Sequence, residues 1–367
     1  MTKAICGIFC LLTWSLSSAA ESSWPLWEAF KTHNLSEDGR VIDWSQSITT
    51  SEGQAYALFF ALVANDQATF RKLLSWTQDN LVVKEKNQNL PAWKWGQNKH
   101  GQWEILDHNN ATDADLWMAY TLLEAGRIWK NPAYKTFGEN LLWLTAVYSL
   151  KNIRGLGLML LPAQNHFERK DADNILYWKL NPSYLPPFLL QRFTSIAPLW
   201  EPVQRNSLQF LVDSAPYGLS PDWVLYRPQK GYYHTENTEH TGSYDAVRNY
   251  LWAGILATSE TKNRLLKHYS PLLEIIRKHH GMPEKLSISG EILNARKPAS
   301  SACALLPFLA SSGENDLLLE NIQKCLDGLT NPKNYYTQVL GLFALGWLQG
   351  RYSFNQDGTL LLSRKTK

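Results

Sequence analysis

Three times in this chain an acidic side chain sits in what reads as the first turn of a strongly apolar helix. Glu52 opens the run from Ser51 to Phe60, Asp113 and Asp115 open the run from Ala111 to Ala119, and Asp245 lies at the head of Ser243 to Trp252. If those helices run parallel, three carboxyl groups meet at one end of a bundle. One carboxylic acid that donates a proton and one carboxylate that activates water or attacks carbon suffice to break a glycosidic bond.

Each acid also has a bland explanation. An anion at a helix N-terminus complements the dipole, at about 0.3–1 kcal/mol. Thr112-x-x-Asp115 has the form of a capping box, which assigns Asp115 to backbone donors. The surroundings favour chemistry for the other three. Gly53, Ala55 and Ala57 leave room beside Glu52 for a ligand or a neighbouring helix, and Tyr244 and Arg248 flank Asp245. Trp93, Trp95 and Trp103 precede Asp113 in a stretch without helical periodicity, where flat aromatic faces can stack on sugar rings. To act as the acid, Glu52 must hold its proton against the positive end of its helix, which burial or an adjacent Asp113 carboxylate would accomplish.

The positioning elements read as helices. Apolar residues recur at three and four spacing over 51–64, 113–128, 138–150, 203–212, 244–257, 263–277, 301–310, 315–326 and 336–348, with weaker helices over 24–34, 66–80 and 182–193. Thr112 and Ser243 are the expected N-caps, and Asn131-Pro132, Asn181-Pro182 and Asn331-Pro332 the breaks. Strand-like alternation is confined to short stretches such as Trp223 to Tyr226 and Lys285 to Ser289. About a dozen helices without long strands predict an all-α fold of helical hairpins arranged in a ring, an (α/α) barrel of alternating inner and outer helices. The inner helices then point one way and share a rim. Glu52 and Asp113, 61 residues apart, are separated by roughly one helical hairpin and its loops.

Residues 1–20 read as a cleaved secretory signal: Lys3, an apolar run from Ala4 to Leu16, then Ser18-Ala19-Ala20. The run is too short for a membrane span, so no stable membrane insertion is expected after cleavage, and residues 21–367 form one catalytic domain. Of the four cysteines only Cys303 and Cys325 outlast that cut, and an oxidising compartment permits a bridge between them. The net charge of +3 falls to +2 without Lys3, and the basic residues are scattered, which argues against nucleic acid. Sixteen Trp and sixteen Tyr exceed what a core of this size requires, and they suit a carbohydrate ligand. His234, His240 and the pair His279-His280 lack ligand spacing, so neither metal nor other cofactor is implied.

Ala111 to Trp129 resembles the signature of glycoside hydrolase family 8: alanine, serine or threonine, aspartate, alanine or glycine, aspartate, then Met118-Ala119 and Ala125 to Trp129. Thr121 stands where the family prefers serine or alanine, a conservative departure. Ser51 to Tyr56 resembles the family's acid segment and Ser243 to Arg248 its base segment. The resemblance implies an (α/α)6 barrel that cuts β-1,4-glucan with inversion at the anomeric carbon. By match, Glu52 is the proton donor and Asp245 the base. Asp113 falls on the signature aspartate and is assigned to hold the sugar at the point of cleavage. Tyr244 and Arg248 would flank the base, with Tyr335 or Tyr336 reaching the cleft from the last inner helix. Within the family the likeness is to periplasmic endoglucanases that accompany bacterial cellulose synthases, which implies loose association with an export complex. The competing readings are a hydrolase of xylan, chitosan or mixed-linkage glucan, a polysaccharide lyase using the His234 and His240 region, and a glucan-binding scaffold without activity.

Overall fold

The computed structural model describes residues 24–82, 89–233 and 240–363. The leader assignment for residues 1–20 and the alternative placed on His234 lie outside the described residues. Thirteen α-helices are present among the described residues: α1 Pro25–Asn34, α2 Ser51–Val63, α3 Gln67–Asn80, α4 Thr112–Ile128, α5 Pro132–Ser149, α6 Pro187–Thr194, α7 Trp200–Asp213, α8 Val247–Ile255, α9 Glu260–Tyr269, α10 Pro271–His279, α11 Ala299–Ser311, α12 Asn315–Leu329 and α13 Tyr335–Leu348. The expected helix over 263–277 is two helices, because Pro271 has no N–H to continue α9 and instead starts α10.

Six helices form an inner ring: α2, α4, α6, α8, α11 and α13. Each packs against an outer partner: α3, α5, α7, α9, α12 and α1 respectively, with α10 packed on α9. The division is written in the apolar pattern. Every residue of α8 and all of α4 from Thr112 to Gly126 are buried, as expected for helices covered on all sides. On α12 only Leu317, Asn321 and Cys325 are buried, four residues apart, a single stripe facing inward. Cys303 on α11 and Cys325 on α12 form a disulfide that ties one such pair together.

The middle of the ring is aromatic. Phe343 of α13 meets Phe60 and Tyr56 of α2 at 4.7 and 5.0 Å, Trp117 of α4 at 5.0 Å and Trp252 of α8 at 5.4 Å between ring centroids. Each such side chain stabilises by roughly 1.5–3 kcal/mol through burial. Gly254 lets α8 lie directly on α11, since a Cβ there would stand 2.3 Å from the Phe308 nitrogen.

The far end of the ring is closed by a C-terminal hairpin, Tyr352–Phe354 with Leu360–Leu362. Phe354 stacks on Phe188 at 4.2 Å. Glu124, fully buried on α4, anchors the hairpin by accepting from the Leu360 N–H at 3.0 Å, Arg192 Nε at 2.8 Å and Arg127 Nε at 2.9 Å.

Short strands are more numerous than the sequence pattern predicts. Fourteen are described, in five small antiparallel sheets, the largest built from Glu168–Lys170, Leu176–Leu180, Val224–Arg227 and Gly231–Tyr233. They decorate the loops between helices rather than forming a core layer. Runs of two to five residues carry too few alternations to register as periodicity.

Glu124→Ala should lower stability by roughly 3–5 kcal/mol, because it leaves the mostly buried Arg192 guanidinium without its carboxylate and the buried Leu360 N–H without its acceptor. Guanidinium chloride unfolding measures this, and a loss below about 0.5 kcal/mol, the range of an ordinary surface change, would contradict the anchoring role.

Candidate active site

The starts of the inner helices are held by loop strands. Thr49–Thr50, just ahead of α2, pairs with Lys94–Gln97, which pairs in turn with Trp103–Asp107. The Ser51 N–H donates to the Trp93 carbonyl at 3.1 Å and Thr50 Oγ1 accepts from the Gly53 N–H, so Glu52 is fixed beside the tryptophan hairpin. The start of α4 is tied down by Thr112, whose N–H and Oγ1 donate to the Pro162 and Leu161 carbonyls at 2.9 Å each. Ala111, not Thr112, is therefore the N-cap.

Asp245 departs from the expected first-turn position. α8 begins at Val247 with Ala246 as its N-cap, and Ser243 to Ala246 form a turn ahead of it. The cause is Asp222, from a loop 23 residues upstream of Asp245. Its Oδ1 accepts from the N–H groups of Ser243 at 2.8 Å, Asp245 at 3.1 Å and Ala246 at 2.7 Å, and its Oδ2 accepts from Ser243 Oγ at 2.6 Å. Ser243 is thus a donor to a remote carboxylate rather than a cap.

Arg248, on the first turn of α8, brings the three acids together. Its Nη1 donates to Glu52, to Asp113 Oδ2 at 3.2 Å and to Tyr56 OH at 3.2 Å. Its Nη2 donates to Asp245 Oδ1 at 2.8 Å and Ser183 Oγ at 2.9 Å. Asn181 Nδ2 completes the hold on Asp245 by donating to Oδ2 at 2.9 Å. The acids differ in access: the Glu52 and Asp245 side chains are 23% and 30% exposed, whereas Asp113 is 2% exposed. Two reachable carboxyl groups thus flank a buried one.

Three acids against one guanidinium leave an excess of negative charge in a poorly solvated place. Burial, then the Glu52 charge, push the Asp113 carboxyl well above the ordinary range, against the pull of Arg248. The proton this favours on Asp113 sits beside the Glu52 carboxyl. The phenols of Tyr56, Tyr184 and Tyr336 are all raised, chiefly by burial, and stay neutral donors.

The aromatic residues divide. Tyr336 is in the site, its OH donating to the Tyr244 carbonyl at 2.6 Å and its ring 6.1 Å from that of Tyr244. Tyr244 is 40% exposed, and its hydroxyl joins Glu284 and Arg296 on the rim. Tyr335 turns away: its ring lies 6.4 Å from Phe30 and its hydroxyl fills the space a Cβ on Gly53 would need. The neighbour that Gly53 admits is therefore Tyr335. Trp95 stacks on Trp103 at 4.9 Å, with Trp76 edge-on and Arg40 against both rings. Trp103 keeps 48% of its surface open, and Trp93 is half-buried under Lys94.

The sequence reading passed over Asn181, Ser183, Tyr184, Asp222 and Trp223. Trp223 stacks on Phe167 at 5.7 Å and lies 5.9 Å from Tyr184, extending an aromatic surface on the Asp245 side. Asn181-Pro182 was legible as a break but not as a partner of Asp245, since that contact spans 64 residues.

Asp115 does not cap α4. It is fully buried, facing away from the other acids, and accepts from Asn110 Nδ2 at 2.6 Å. Burial pushes its carboxyl up to about 8, the Asn110 bond opposing only in part.

Residues 1–350 match the model of glycosyl hydrolases family 8, and the chain belongs to that family of glycoside hydrolases. It is 40% identical over 354 residues to an endoglucanase of Escherichia coli, covering 96% of this chain and 94% of the relative. An endoglucanase of Xanthomonas axonopodis pv. citri is 41% identical over 352 residues, covering 94% and 90%. The crystal structure of an endo-1,4-D-glucanase from Vibrio fischeri superposes with a TM-score of 0.86 at 41% identity, covering 93% of this chain and 99% of that one. The (α/α)6 architecture is shared.

The buried acid predicts a pH effect on stability. Asp115 keeps its proton in the fold up to about pH 8. In the unfolded chain it ionises near 3.9. Its contribution is complete below about pH 4 and is lost as pH rises toward 8, by up to about 1.4 kcal/mol per unit. Urea unfolding at pH 5 and pH 8 should show wild type losing stability, with a smaller loss in Asp115→Asn. Equal losses in the two proteins would contradict the assignment.

Proposed function

We propose that this protein hydrolyses internal β-1,4 bonds of a glucan with inversion at the anomeric carbon. The observation that carries the reading is the Arg248 cluster, which sets two reachable carboxyl groups on either side of a guanidinium with a third acid buried behind them. Endoglucanase relatives at 40% identity along nearly the whole chain support the substrate class.

The roles follow from access and charge. Glu52 reaches the cleft, and the buried Asp113 beside it is the group on which a proton is favoured, so Glu52 is placed to deliver a proton to the leaving glycosidic oxygen. Asp245, oriented by Arg248 and Asn181 through one oxygen each, takes the proton of the attacking water. Arg248 stands between them and keeps the two functions apart, the arrangement a water-mediated displacement needs. Asp113, 2% exposed behind Glu52 and Arg248, lies too deep to hold the sugar directly, the role the sequence reading expected of it, and acts through those two groups. Trp93 beside the start of α2, the exposed Trp103 farther along the same hairpin, and Tyr184 and Trp223 on the Arg248 side supply stacking faces along the glucan.

Export to the periplasm is part of the reading. The leader-like residues 1–20 support it, as does the Cys303–Cys325 disulfide, a bond that persists in oxidising compartments. Trimming of glucan during its export, in loose association with an export complex, is what the sequence resemblance to periplasmic endoglucanases implies, and it belongs to the same reading.

Glu52→Gln and Asp245→Asn should each lower kcat on carboxymethylcellulose by at least about 10²-fold, with the thermal midpoint preserved. Full activity in either would sink the role assignments. Mass analysis of the exported protein should find a chain starting at Glu21, and a chain retaining residues 1–20 would contradict the export reading.

A further inference from the structure

Asp222 has no role in the proton transfers above, yet it holds the backbone of the turn that carries Asp245, whose carboxyl Arg248 and Asn181 orient. We infer that Asp222 is a positioning residue for hydrolysis: its carboxylate clamps the turn Ser243–Ala246 and so sets where the Asp245 carboxyl meets the attacking water. The inference rests on the reading of Asp245 as the base.

Three observations carry it. First, the clamp is local to the base. Asp222 accepts four hydrogen bonds, at 2.6–3.1 Å, and all come from Ser243, Asp245 and Ala246. Three are from backbone N–H groups, which lie ahead of α8 where no helical acceptor is available to them.

Second, the clamp is itself anchored. The Asp222 N–H donates to the Thr241 carbonyl at 2.8 Å, and Thr241–Gly242 pairs with Leu286–Ser287, so loop and turn form one unit on the barrel rim. The Cβ position at Gly242 lies 2.2 Å from the Ser220 carbonyl, which leaves no slack between this strand and the loop that carries Asp222.

Third, the arrangement is electrostatically costly. Burial, then the Asp245 charge, push the Asp222 carboxyl upward, so two acids sit side by side where one would be cheaper. A merely structural turn has no need of that neighbour. An asparagine could accept the same three backbone bonds through its Oδ1 while Ser243 Oγ accepted from its amide. What aspartate adds is stronger, charge-assisted bonds on the turn that carries the base.

A displacement of about 1 Å in a reacting group can cost roughly 10²-fold in rate, so a residue that sets this position acts on kcat and leaves KM alone. The test measures kcat, KM and thermal midpoint on a soluble cellulose derivative for three variants beside wild type and Asp245→Asn. Asp222→Ala should lose roughly 10²-fold in kcat with KM little changed, since the turn is released but the cleft is intact. Asp222→Asn should recover most of it, to within about fivefold of wild type, because the backbone bonds survive. Asp222→Glu keeps the charge but pushes the turn outward by a methylene, and should lose at least roughly 10-fold in kcat. Asp222→Glu decides the matter if Asp222→Ala does not fold. Wild-type kcat in Asp222→Ala or Asp222→Glu, or a loss expressed in KM alone, would overturn the inference. Inactive wild type, or an active Asp245→Asn, would instead show that the underlying reading of the base had failed.

Discussion

The site depends on one buried cation. Arg248 is 3% exposed and touches Glu52, Asp113 and Asp245, acids drawn from three inner helices or their approaches. Burying a guanidinium is costly unless it is paired and fully engaged. Here the pairing is supplied by the same groups that would do the chemistry. The charge balance makes the acids unequal: one arginine cannot neutralise three carboxylates, so a proton stays in the cluster, and it stays where water is scarcest. Division of labour among otherwise similar side chains thus follows from depth and from a single shared partner.

The barrel makes that convergence possible. Inner helices that alternate with outer ones all present their N-terminal ends on the same rim, and the aromatic centre around Phe343, Trp117 and Trp252 fixes their spacing. The opposite rim is sealed by the hairpin held on Glu124, which separates what stabilises the ring from what works on the substrate. The loops on the active rim carry short strand pairs, and these set the entry to each helix. Thr49–Thr50 does so for Glu52, and the turn held on Asp222 does so for Asp245.

Much of this was legible in the residues. The inner and outer helices announce themselves by continuous or striped apolar patterns, and the motif around Asp113 identified the family before any fold was in view. What escaped has a common physical reason. Asp222 and Asn181 act on residues 23 and 64 positions away, and no local pattern encodes such a contact. The Ser243 cap failed because a remote carboxylate took the donors a helix start would have offered. Asp115 matched a capping box by spacing, but its side chain faces inward to Asn110, where burial rather than the dipole governs its charge. Tyr335 and Tyr336 are adjacent in sequence, and on a helix adjacent side chains diverge, so only one of them reaches the site.

The central claim is that Glu52 and Asp245 work on opposite sides of the scissile bond with a water between. The most direct measurement is the anomeric configuration of the first product, followed by NMR during hydrolysis of a cello-oligosaccharide. The account predicts that the α-anomer of the new reducing end appears first and then mutarotates. Initial release of the β-anomer would mean retention through a covalent intermediate, and would contradict it.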